Sequence, residues 1–345
     1  MTAATASRQY DDLDPQQVLD ALDSVGLRGD GRILQLNSFE NRVFQVFLED
    51  GAAVVAKFYR PGRWSDKQIL EEHLFAHQLA AAEVPVAAPL PLAAGAGAAT
   101  QLLGVPPTLA RQARGDHAYR FAVTRCHAGR SPELDRPDTL RRIGRFIARL
   151  HQVGATQPFA GRPTLDVAHF GDAACRAIVA SGLLGDESRA AWLGSCDTAL
   201  AEIRKRLTTT PTTTLRLHGD CHRGNLLWSD TGPHFVDLDD ACNGPAIQDL
   251  WMLLDGDRET MRWQLAELLA GYEDFRDFDW REAALIEPLR TLRMIHHSAW
   301  IARRWNDPAF PAAFPWFGSP SYWAQQTVDL REQIDAMRAP PVAAG

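Results

Sequence analysis

The stretch Leu215-Arg-Leu-His-Gly-Asp-Cys-His-Arg-Gly-Asn-Leu-Leu-Trp228 is followed closely by His234-Phe-Val-Asp-Leu-Asp-Asp240. Short apolar runs lie on either side of the turn residues Ser229-Asp-Thr-Gly-Pro233, which predicts two short strands joined by a turn. Acidic and amide side chains collect at one end of these strands. Oxygen donors of this kind are the ligands that Mg²⁺ prefers in proteins. The candidate oxygen donors are Asp220, Asn225 and Asp237.

The order of these three residues also carries information. An aspartate followed five residues later by an asparagine, and then by an aspartate at the end of a strand, is the order found in kinases. In that layout the first aspartate orients the attacking hydroxyl, and the other two residues hold metal on the nucleotide. The rest of the chain must then supply a lysine for the phosphates and a carboxylate that pairs with this lysine.

Composition narrows the class of protein. The chain has 345 residues, 46% of them hydrophobic and 23% charged, which is typical of a globular protein with one large or two modest domains. The net charge of −7 disfavours an extended nucleic-acid or membrane surface, and no apolar run reaches the ~18 residues of a membrane span. Five scattered cysteines favour a reduced, cytoplasmic chain. Met1–Tyr10 lacks an apolar signal core and is predicted to be a loose tail.

The first third of the chain is predicted to form strands. Apolar runs at Ile33–Leu36, Val43–Leu48 and Ala53–Tyr59 have strand character, and Glu49-Asp-Gly51 is a hairpin turn. The third run contains one charged residue, Lys57. This lysine is either an edge-strand residue that points to solvent or a lysine that pairs with nucleotide phosphates.

A helix predicted over Asp66–Ala82 supplies the carboxylate. Glu72 lies on its apolar stripe, whereas Glu71 lies off the centre of that stripe. A buried carboxylate needs a partner, and Lys57 is the natural one. The alternative is that Glu72 lies at a solvated edge of the stripe.

After a strand that ends near Val123, the sequence pattern changes from strand-like to mainly helical. The polar connector Arg125–Arg130 is the candidate boundary between an N-terminal domain, 1–125, and a C-terminal domain, 126–345. The resulting prediction is an α+β, bilobal, protein-kinase-like fold, in which a small antiparallel sheet with one Glu-bearing helix precedes a larger, mainly helical lobe. The predicted helices of that lobe begin near Pro137 and continue at Asp172–Ala180, Ser188–Leu207, Glu259–Phe275, Trp280–Trp305 and Tyr322–Arg338.

Local motifs resemble a known superfamily. Val84-Pro-Val86 after the glutamate helix and His218-Gly-Asp-x-x-x-x-Asn225 are similar to motifs of the aminoglycoside phosphotransferase/choline kinase superfamily. Longer strings, spread over nearly the whole chain, resemble the stress response kinase A family (the YihE/RdoA type) within it. Those strings are Leu36–Val43, Lys57–Pro61, His218–His222, Val236–Asp240 and Pro308–Pro311.

The resemblance implies an ATP- and Mg²⁺-dependent cytoplasmic kinase that phosphorylates Ser/Thr residues of proteins, including its own. Asp220 would be the catalytic base, and Asn225 and Asp237 would bind Mg²⁺, with Asp237 catalytic as well. Lys57, placed by Glu72, would neutralise phosphate charge. The implied partners are ATP and protein substrates, and we expect a monomer that binds neither nucleic acid nor membrane.

One departure from protein kinases concerns the loop over the phosphates. Asn37-Ser-Phe-Glu-Asn-Arg42 contains no glycine, so side chains would hinder a close approach of the backbone to the phosphates. The resemblance nevertheless implies Ser38 as the nucleotide contact. Without the resemblance, Ser38 would be taken for an ordinary strand–turn serine.

Other polar residues of the motifs have open roles. Asp239 and Asp240 point to opposite sides by alternation, and one of them is a candidate for a second metal. The resemblance implies that Asp249 braces the catalytic loop, and His218 is expected to be structural. Cys221 is either redox-sensitive or a buried, inert thiol.

Three alternatives remain open. His218–His222 could belong to a metallohydrolase cluster, although Lys57 would then be unexplained. The same kinase machinery could serve a small alcohol such as an amino-sugar, a choline-like amine or homoserine, or the chain could be a nucleotide-binding pseudokinase scaffold. A cationic acceptor would need an acidic pocket, and Trp305–Trp323 either forms a lip for the acceptor or packs on the helices. The candidates for the acidic pocket are Glu259, Glu267, Glu273, Asp274 and Asp277.

Overall fold

The computed structural model describes residues 13–93, 100, 103–114 and 117–342, without the side chains of residues 114 and 117. The predicted tail Met1–Tyr10 lies outside these residues. Contacts divide the chain into two compact units, each made of separate segments. The first comprises Met1–Pro132, Phe159–Arg162 and Gly224–Ala241, and the second comprises Glu133–Pro158, Pro163–Arg223 and Cys242–Gly345.

The first unit contains an antiparallel sheet of five strands within the described residues, in the order β1-β2-β3-β5-β4. A separate hairpin, β7–β8, pairs Leu226 with Phe235. This hairpin is the predicted pair of short strands. The elements of the unit are α1 (Pro15–Ser24), β1 (Gly29–Leu36), β2 (Arg42–Leu48), β3 (Ala53–Phe58), α2 (Asp66–Ala81), β4 (Ala110–Arg114), β5 (His117–Arg125), β7 (Leu226–Ser229) and β8 (Gly232–Phe235).

The two faces of the sheet bury different helices. Val18 and Leu22 of α1 belong to the same core cluster as Phe44, Phe58 and Phe121 of the strands. The rings of Phe58 and Phe121 stack with their centroids 5.3 Å apart. Because side chains alternate along a strand, the residue before Phe58 points to the other face of the sheet.

The second face packs against α2. Ile69 and Leu70 of this helix belong to a cluster with Tyr59 and with Ala122 of β5. Ala122 is the register partner of Lys57 in the sheet. The alternation of β3 therefore places Lys57 on the face that carries α2, among buried residues rather than at a sheet edge.

The second unit is mainly helical. Its strands β6 and β9 pair antiparallel, with Leu217 opposite Cys242. The predicted α+β class is confirmed, and no helix in the described ranges is long and apolar enough to cross a bilayer. The elements are α3 (Pro137–Gly154), α4 (Ala173–Ala180), α5 (Asp186–Thr209), β6 (Leu215–Leu217), β9 (Cys242–Gly244), α6 (Gln248–Trp251), α7 (Arg258–Tyr272), α8 (Ile286–Arg303), α9 (Ala309–Ala313) and α10 (Pro320–Arg338).

Some predicted boundaries were wrong. The predicted helix Trp280–Trp305 is a 3₁₀ turn over Trp280–Leu285 followed by α8 from Ile286. Pro288 lies in the first turn of α8. The backbone N–H groups of a first turn make no hydrogen bond within the helix, so proline, which has no N–H, is tolerated there and favours this start. Strand β4 was not predicted, since Ala110-Arg-Gln-Ala-Arg114 has no β-branched or aromatic residue.

Two glycines allow α3 and α7 to pack closely in the second unit. A Cβ atom on Gly144 would lie 2.0 Å from the carbonyl oxygen of Leu268. A Cβ atom on Gly271 would lie 1.9 Å from the carbonyl oxygen of Arg141. Both contacts are with backbone, which cannot rotate away, so a larger residue must push the helices apart.

We therefore expect Gly144→Ala to lower the free energy of unfolding by about 1–3 kcal/mol or more. Gly194→Ala is the matched control, because Gly194 lies in α5 with no atom near its Cβ position. The control should raise stability by up to ~1 kcal/mol through helix propensity. Urea unfolding midpoints measure both effects, and equal midpoints for the two variants would contradict the close packing.

Candidate active site

Lys57 makes an ion pair with Asp237 in the first unit. The Nζ atom of Lys57 lies 2.8 Å from Oδ1 of Asp237. Burial opposes the charge of the ammonium, but the carboxylates of Asp237 and Asp239 outweigh it and keep the pKa of Lys57 well above its ordinary value. Lys57 is therefore a permanent cation whose side chain is only 19% exposed.

Asp237 follows β8 with an unusual backbone conformation. Its φ of 59° and ψ of 65° lie in the left-handed region, which few residues other than glycine adopt. Its side chain is 50% exposed, so it is accessible to a ligand. The N–H of Val236 donates to the carbonyl oxygen of Asn225 at 3.1 Å, so the hairpin brings the backbone of Asn225 next to that of Asp237.

A half-exposed carboxylate and a neighbouring asparagine fit a magnesium ion. Mg²⁺ usually takes one or two protein carboxylates and completes its shell with water and substrate phosphates. Asp237 and Asn225 could supply this small set of oxygen ligands. Strain at the backbone of Asp237 adds support, because left-handed residues other than glycine cluster at functional sites.

The other two acids of the segment are held by arginine. The guanidinium of Arg63 binds both the Asp239 and the Asp240 carboxylates, and Asn41 Nδ2 donates to Asp239 Oδ2 at 3.1 Å. Burial disfavours a charge on Asp239, but Arg63, Lys57 and other cations outweigh it and lower its pKa to about 2. Asp239 is thus a buried structural anion, while the Asp240 side chain is 52% exposed.

Arg162 fixes the backbone of the same segment. Its guanidinium donates to the carbonyl oxygens of Asp239 and Ala241, the latter at 2.7 Å from Nε, and it lies 4.4 Å from the centroid of the Trp64 ring. The carboxylate of Glu71 accepts the N–H of Gly161 at 2.9 Å and that of Arg162 at 3.1 Å. Glu71 therefore helps to position Arg162, although its place on the helix gave no sign of this.

Glu72 is buried as predicted, but it does not pair directly with the lysine. Glu72 is 4% exposed, and its Oε2 atom has no hydrogen-bond partner in the described part of the chain. No hydrogen bond or ion pair joins it to Lys57 among the described residues. Burial raises the pKa of Glu72 to about 7, against the attraction of Lys57 and Arg162.

The loop that contains Ser38 is held by side chains. Arg60 donates from Nε to the carbonyl oxygen of Glu40 at 2.9 Å and from Nη2 to that of Phe39 at 3.0 Å. Its backbone N–H donates to Asn41 Oδ1 at 3.1 Å. Arginine contacts thus order the loop without glycine, and Ser38 is half-buried in it.

The loop after β6 is braced by Asp249 in the second unit. The two oxygens of Asp249 accept the N–H of His218 at 2.8 Å and that of Gly219 at 2.9 Å. His151 Nε2 lies 3.1 Å from the same carboxylate. Gly219 has a φ of +83°, a conformation that suits glycine, and Asp220 follows it directly.

Asp220 lies between two basic side chains. Its Oδ1 atom is 2.5 Å from Nη1 of Arg293 on α8, and its Oδ2 atom is 3.4 Å from Nε2 of His222. Burial opposes the charge of Asp220, but the His222 hydrogen bond and the Arg293 guanidinium outweigh it and hold the pKa below its ordinary value. Asp220 therefore stays ionised at neutral pH.

Other predicted residues have structural surroundings. His218 and Cys221 are buried, and burial raises the pKa of the Cys221 thiol well above its ordinary value, which favours the inert thiol. Within the described ranges, no three His, Cys, Asp or Glu side chains are grouped so as to hold a metal ion. Trp305 and Phe317 of the aromatic segment have ring centroids 5.4 Å apart, and Phe317 packs on Trp323.

Comparisons with known proteins identify the family of this chain. The family model "Phosphotransferase enzyme family" (APH) matches residues 32–286. Stress response kinase A of Salmonella choleraesuis (strain SC-B67) is 44% identical over 96% of both chains. A Salmonella typhimurium relative with the same identity and coverage is named serine/threonine protein kinase RdoA. Stress response kinase A of Escherichia coli (strain K12) is 43% identical over 96% of both chains.

Solved structures with this fold include proteins that are named as kinases. Amicoumacin kinase hAmiN, solved with AMP-PNP and Ca²⁺, has a TM-score of 0.72 at 17% identity and covers 99% of this chain and 97% of its own. A microcompartment-associated aminopropanol kinase has a TM-score of 0.66 at 16% identity, with 94% and 97% covered. Because the family model spans most of the chain and the relatives above 40% identity cover nearly all of it, the chain belongs to the phosphotransferase enzyme family and, within it, to the stress response kinase A group.

Proposed function

We propose that this chain is an ATP- and Mg²⁺-dependent kinase that phosphorylates Ser and Thr residues of proteins, including its own. The observation that carries the proposal is the 44% identity, over 96% of both chains, to a relative named serine/threonine protein kinase. The solved structures named as small-molecule kinases are below 20% identical, so they support the fold rather than an acceptor.

The proposed role of Asp220 is to orient the acceptor. Its carboxylate accepts the hydrogen bond of the hydroxyl, whose oxygen then bonds to the γ-phosphorus. The bond from that phosphorus to the β–γ bridging oxygen breaks, and ADP leaves. A carboxylate whose pKa is below its ordinary value is a weak base, so the proton passes to Asp220 late in the transfer.

The proposed role of the first unit is to neutralise the phosphates. Lys57 supplies a permanent positive charge, and Asn225 and Asp237 would hold Mg²⁺ on the nucleotide. When bound, this ion neutralises charge that develops on the β- and γ-phosphate oxygens. Ser38, in the ordered loop between β1 and β2, is the proposed contact to the nucleotide.

The acids of the second unit argue against a small cationic acceptor. Glu267 is neutralised by Arg141 and Asp274 by Arg145, each at 2.6 Å. The remaining three candidates are all exposed. Glu273 accepts the indole N–H of Trp280, and Glu259 and Asp277 are exposed. A pocket for an amino-sugar or a choline-like amine would need such carboxylates.

We expect Asp220→Asn to lower the rate of γ-phosphate transfer by about 10²–10⁴-fold, since general-base and orienting groups contribute this much. The measurement is transfer of labelled γ-phosphate from ATP to a generic protein acceptor and to the chain itself. Asp230→Asn, in the exposed turn between β7 and β8, is the control and should keep full activity. Label that reaches only small alcohols would contradict protein phosphorylation, and no transfer to any acceptor would indicate a scaffold.

A second prediction concerns Glu72, whose pKa rises from 4.5 to about 7 in the folded chain. Its neutral form is favoured by folding, so this contribution to stability is present below pH 4.5 and is lost as pH rises through about 7. Glu72→Gln should therefore raise the urea midpoint at pH 8 and leave it nearly unchanged at pH 4.5. The urea midpoints of wild type and Glu72→Gln are measured across this pH range. If the difference between them did not grow with pH, burial would not be the cause of the raised pKa.

The same variant also tests the proposed placement of Lys57. If Glu72 positions Lys57 when nucleotide binds, Glu72→Gln should lower the transfer rate at pH 8 although it stabilises the fold. Glu83→Gln, at an exposed turn position after α2, provides a control for loss of one carboxylate. A stabilised variant with full activity would show that Glu72 has no role in placing Lys57.

A further inference from the structure

The side chain of Arg293 presents a positive charge beside the proposed catalytic carboxylate. Arg293 lies on α8, and its Nη1 atom donates to Asp220 Oδ1 at 2.5 Å. The Arg293 side chain is 43% exposed, so it is in contact with solvent as well as with Asp220. Any acceptor whose hydroxyl reaches Asp220 must therefore approach this cation.

Most hydrogen-bond donors of Arg293 are unused. A guanidinium carries five N–H donors in a planar fork. Arg293 makes no other hydrogen bond or ion pair among the residues that the structure describes. A carboxylate or a phosphate group is the natural partner of such a fork, because two parallel N–H···O bonds can form.

The surface that follows Arg293 along α8 is aromatic, with a second arginine, Arg304, directly after the helix. His297, Trp300 and Arg304 follow Arg293 at helical spacing, on one side of the helix. The rings of His297 and Trp300 stack at 5.5 Å, and the guanidinium of Arg304 lies 5.6 Å from the Trp300 ring. The one acid of α8, Glu287, is at its start and pairs with Arg290.

His222 lies on the other side of Asp220. Its Nε2 atom lies 3.4 Å from Asp220 Oδ2, and its side chain is 39% exposed. The permanent charge beside Asp220 is that of the Arg293 guanidinium, 2.5 Å from Oδ1. An ammonium ion near Arg293 would be repelled, whereas an anion would be attracted.

We infer that Arg293 selects acceptors that carry an anionic group near the hydroxyl, such as a Ser or Thr flanked by Asp, Glu or a phosphorylated residue. This inference rests on the proposed function, since it specifies the class of protein segment that the kinase accepts. Arg293 is a specificity-determining residue in this scheme. It binds the anion with the donors that Asp220 leaves free, and takes no part in the bond changes of the transfer.

The test uses serine peptides of one length with glutamate, alanine, lysine or phosphoserine flanks. The kinetic constants of wild type are compared with those of Arg293→Ala, Arg293→Lys and Arg293→Glu. For wild type we expect kcat/KM to fall from acidic to neutral to basic peptides by about tenfold at each step, a typical effect of one close charge pair. Arg293→Ala should remove most of this difference among the peptides, mainly by changing KM. Arg293→Lys should keep part of the difference, and Arg293→Glu should reverse the order of the peptides.

Arg262→Glu is the matched control, because it makes the same change of charge at an exposed position of α7. It should leave the peptide order unchanged. The preference of wild type for acidic peptides should also weaken as salt is raised, since partly exposed charges are screened. A higher kcat/KM for phosphoserine flanks than for glutamate flanks would identify phosphate rather than carboxylate as the preferred anion.

Two results would overturn the inference. One is the same order of peptides in wild type and in Arg293→Glu. The other is an equal loss of kcat for every peptide in all Arg293 variants, which would mean that Arg293 only positions Asp220. Failure of the proposed function would give a different result. Phosphate would then be transferred to small alcohols and not to peptides, and this transfer would depend on Asp220. In that case N-acetylserine, an anion, and serinamide, a cation, replace the peptides and decide the charge preference.

Discussion

Mutual repulsion among the carboxylates of Asp237, Asp239 and Asp240 is the constraint on which the first unit depends. Three acids within four residues are stable together only if cations lie close to them. Lys57 balances the first of them, and Arg63 binds the other two. Each cation comes from the strand β3 or the residues just after it, so the end of that strand is tied to the acidic segment.

This arrangement separates two tasks that neighbouring acids could otherwise share. Asp239 is 3% exposed and accepts hydrogen bonds from Asn41 and Arg63, so it serves to hold the segment. Asp237 is half-exposed and bound by Lys57 alone among these cations, which leaves it accessible to metal or nucleotide. Backbone contacts from Arg162 then keep the segment in place without using either carboxylate.

Local features of the sequence predicted much of this. Alternating apolar residues and an Asp-Gly turn were sufficient for β2 and β3, and the order of Asp220, Asn225 and Asp237 indicated phosphoryl transfer. In each case the signal lies within a few tens of residues. Helical periodicity also identified Glu72 as buried.

The arginines could not be predicted in this way. Arg63 lies 176 residues from Asp239, Arg162 lies 77 residues from it, and Arg293 lies 73 residues from Asp220. A surface arginine and one that binds a buried or functional-site carboxylate have the same local sequence signal.

Helical periodicity also did not show which of the two glutamates, Glu71 or Glu72, finds hydrogen-bond partners. Helix α2 is buried on more than one side, and residues on both sides of its stripe find partners. Glu71 meets three backbone N–H groups of residues 160–162, whereas Glu72 lies among charges without a direct partner for its Oε2 atom. A stripe of apolar residues therefore shows which side of a helix is buried, but not which acidic side chain on it has hydrogen-bond partners.

The segmented make-up of the two units affects how the chain can be made. Passing from the first residue to the last, the chain changes unit after Pro132, Pro158, Arg162, Arg223 and Ala241. Neither unit is one continuous segment, so no single cleavage of the chain separates them. During synthesis the ribosome adds every cation of the first-unit site before it adds the carboxylates that balance them. Until residues 237–240 emerge, Lys57 and Arg63 lack the aspartates that pair with them in the folded chain, so the final packing of the first unit is a late event in the life of the nascent chain.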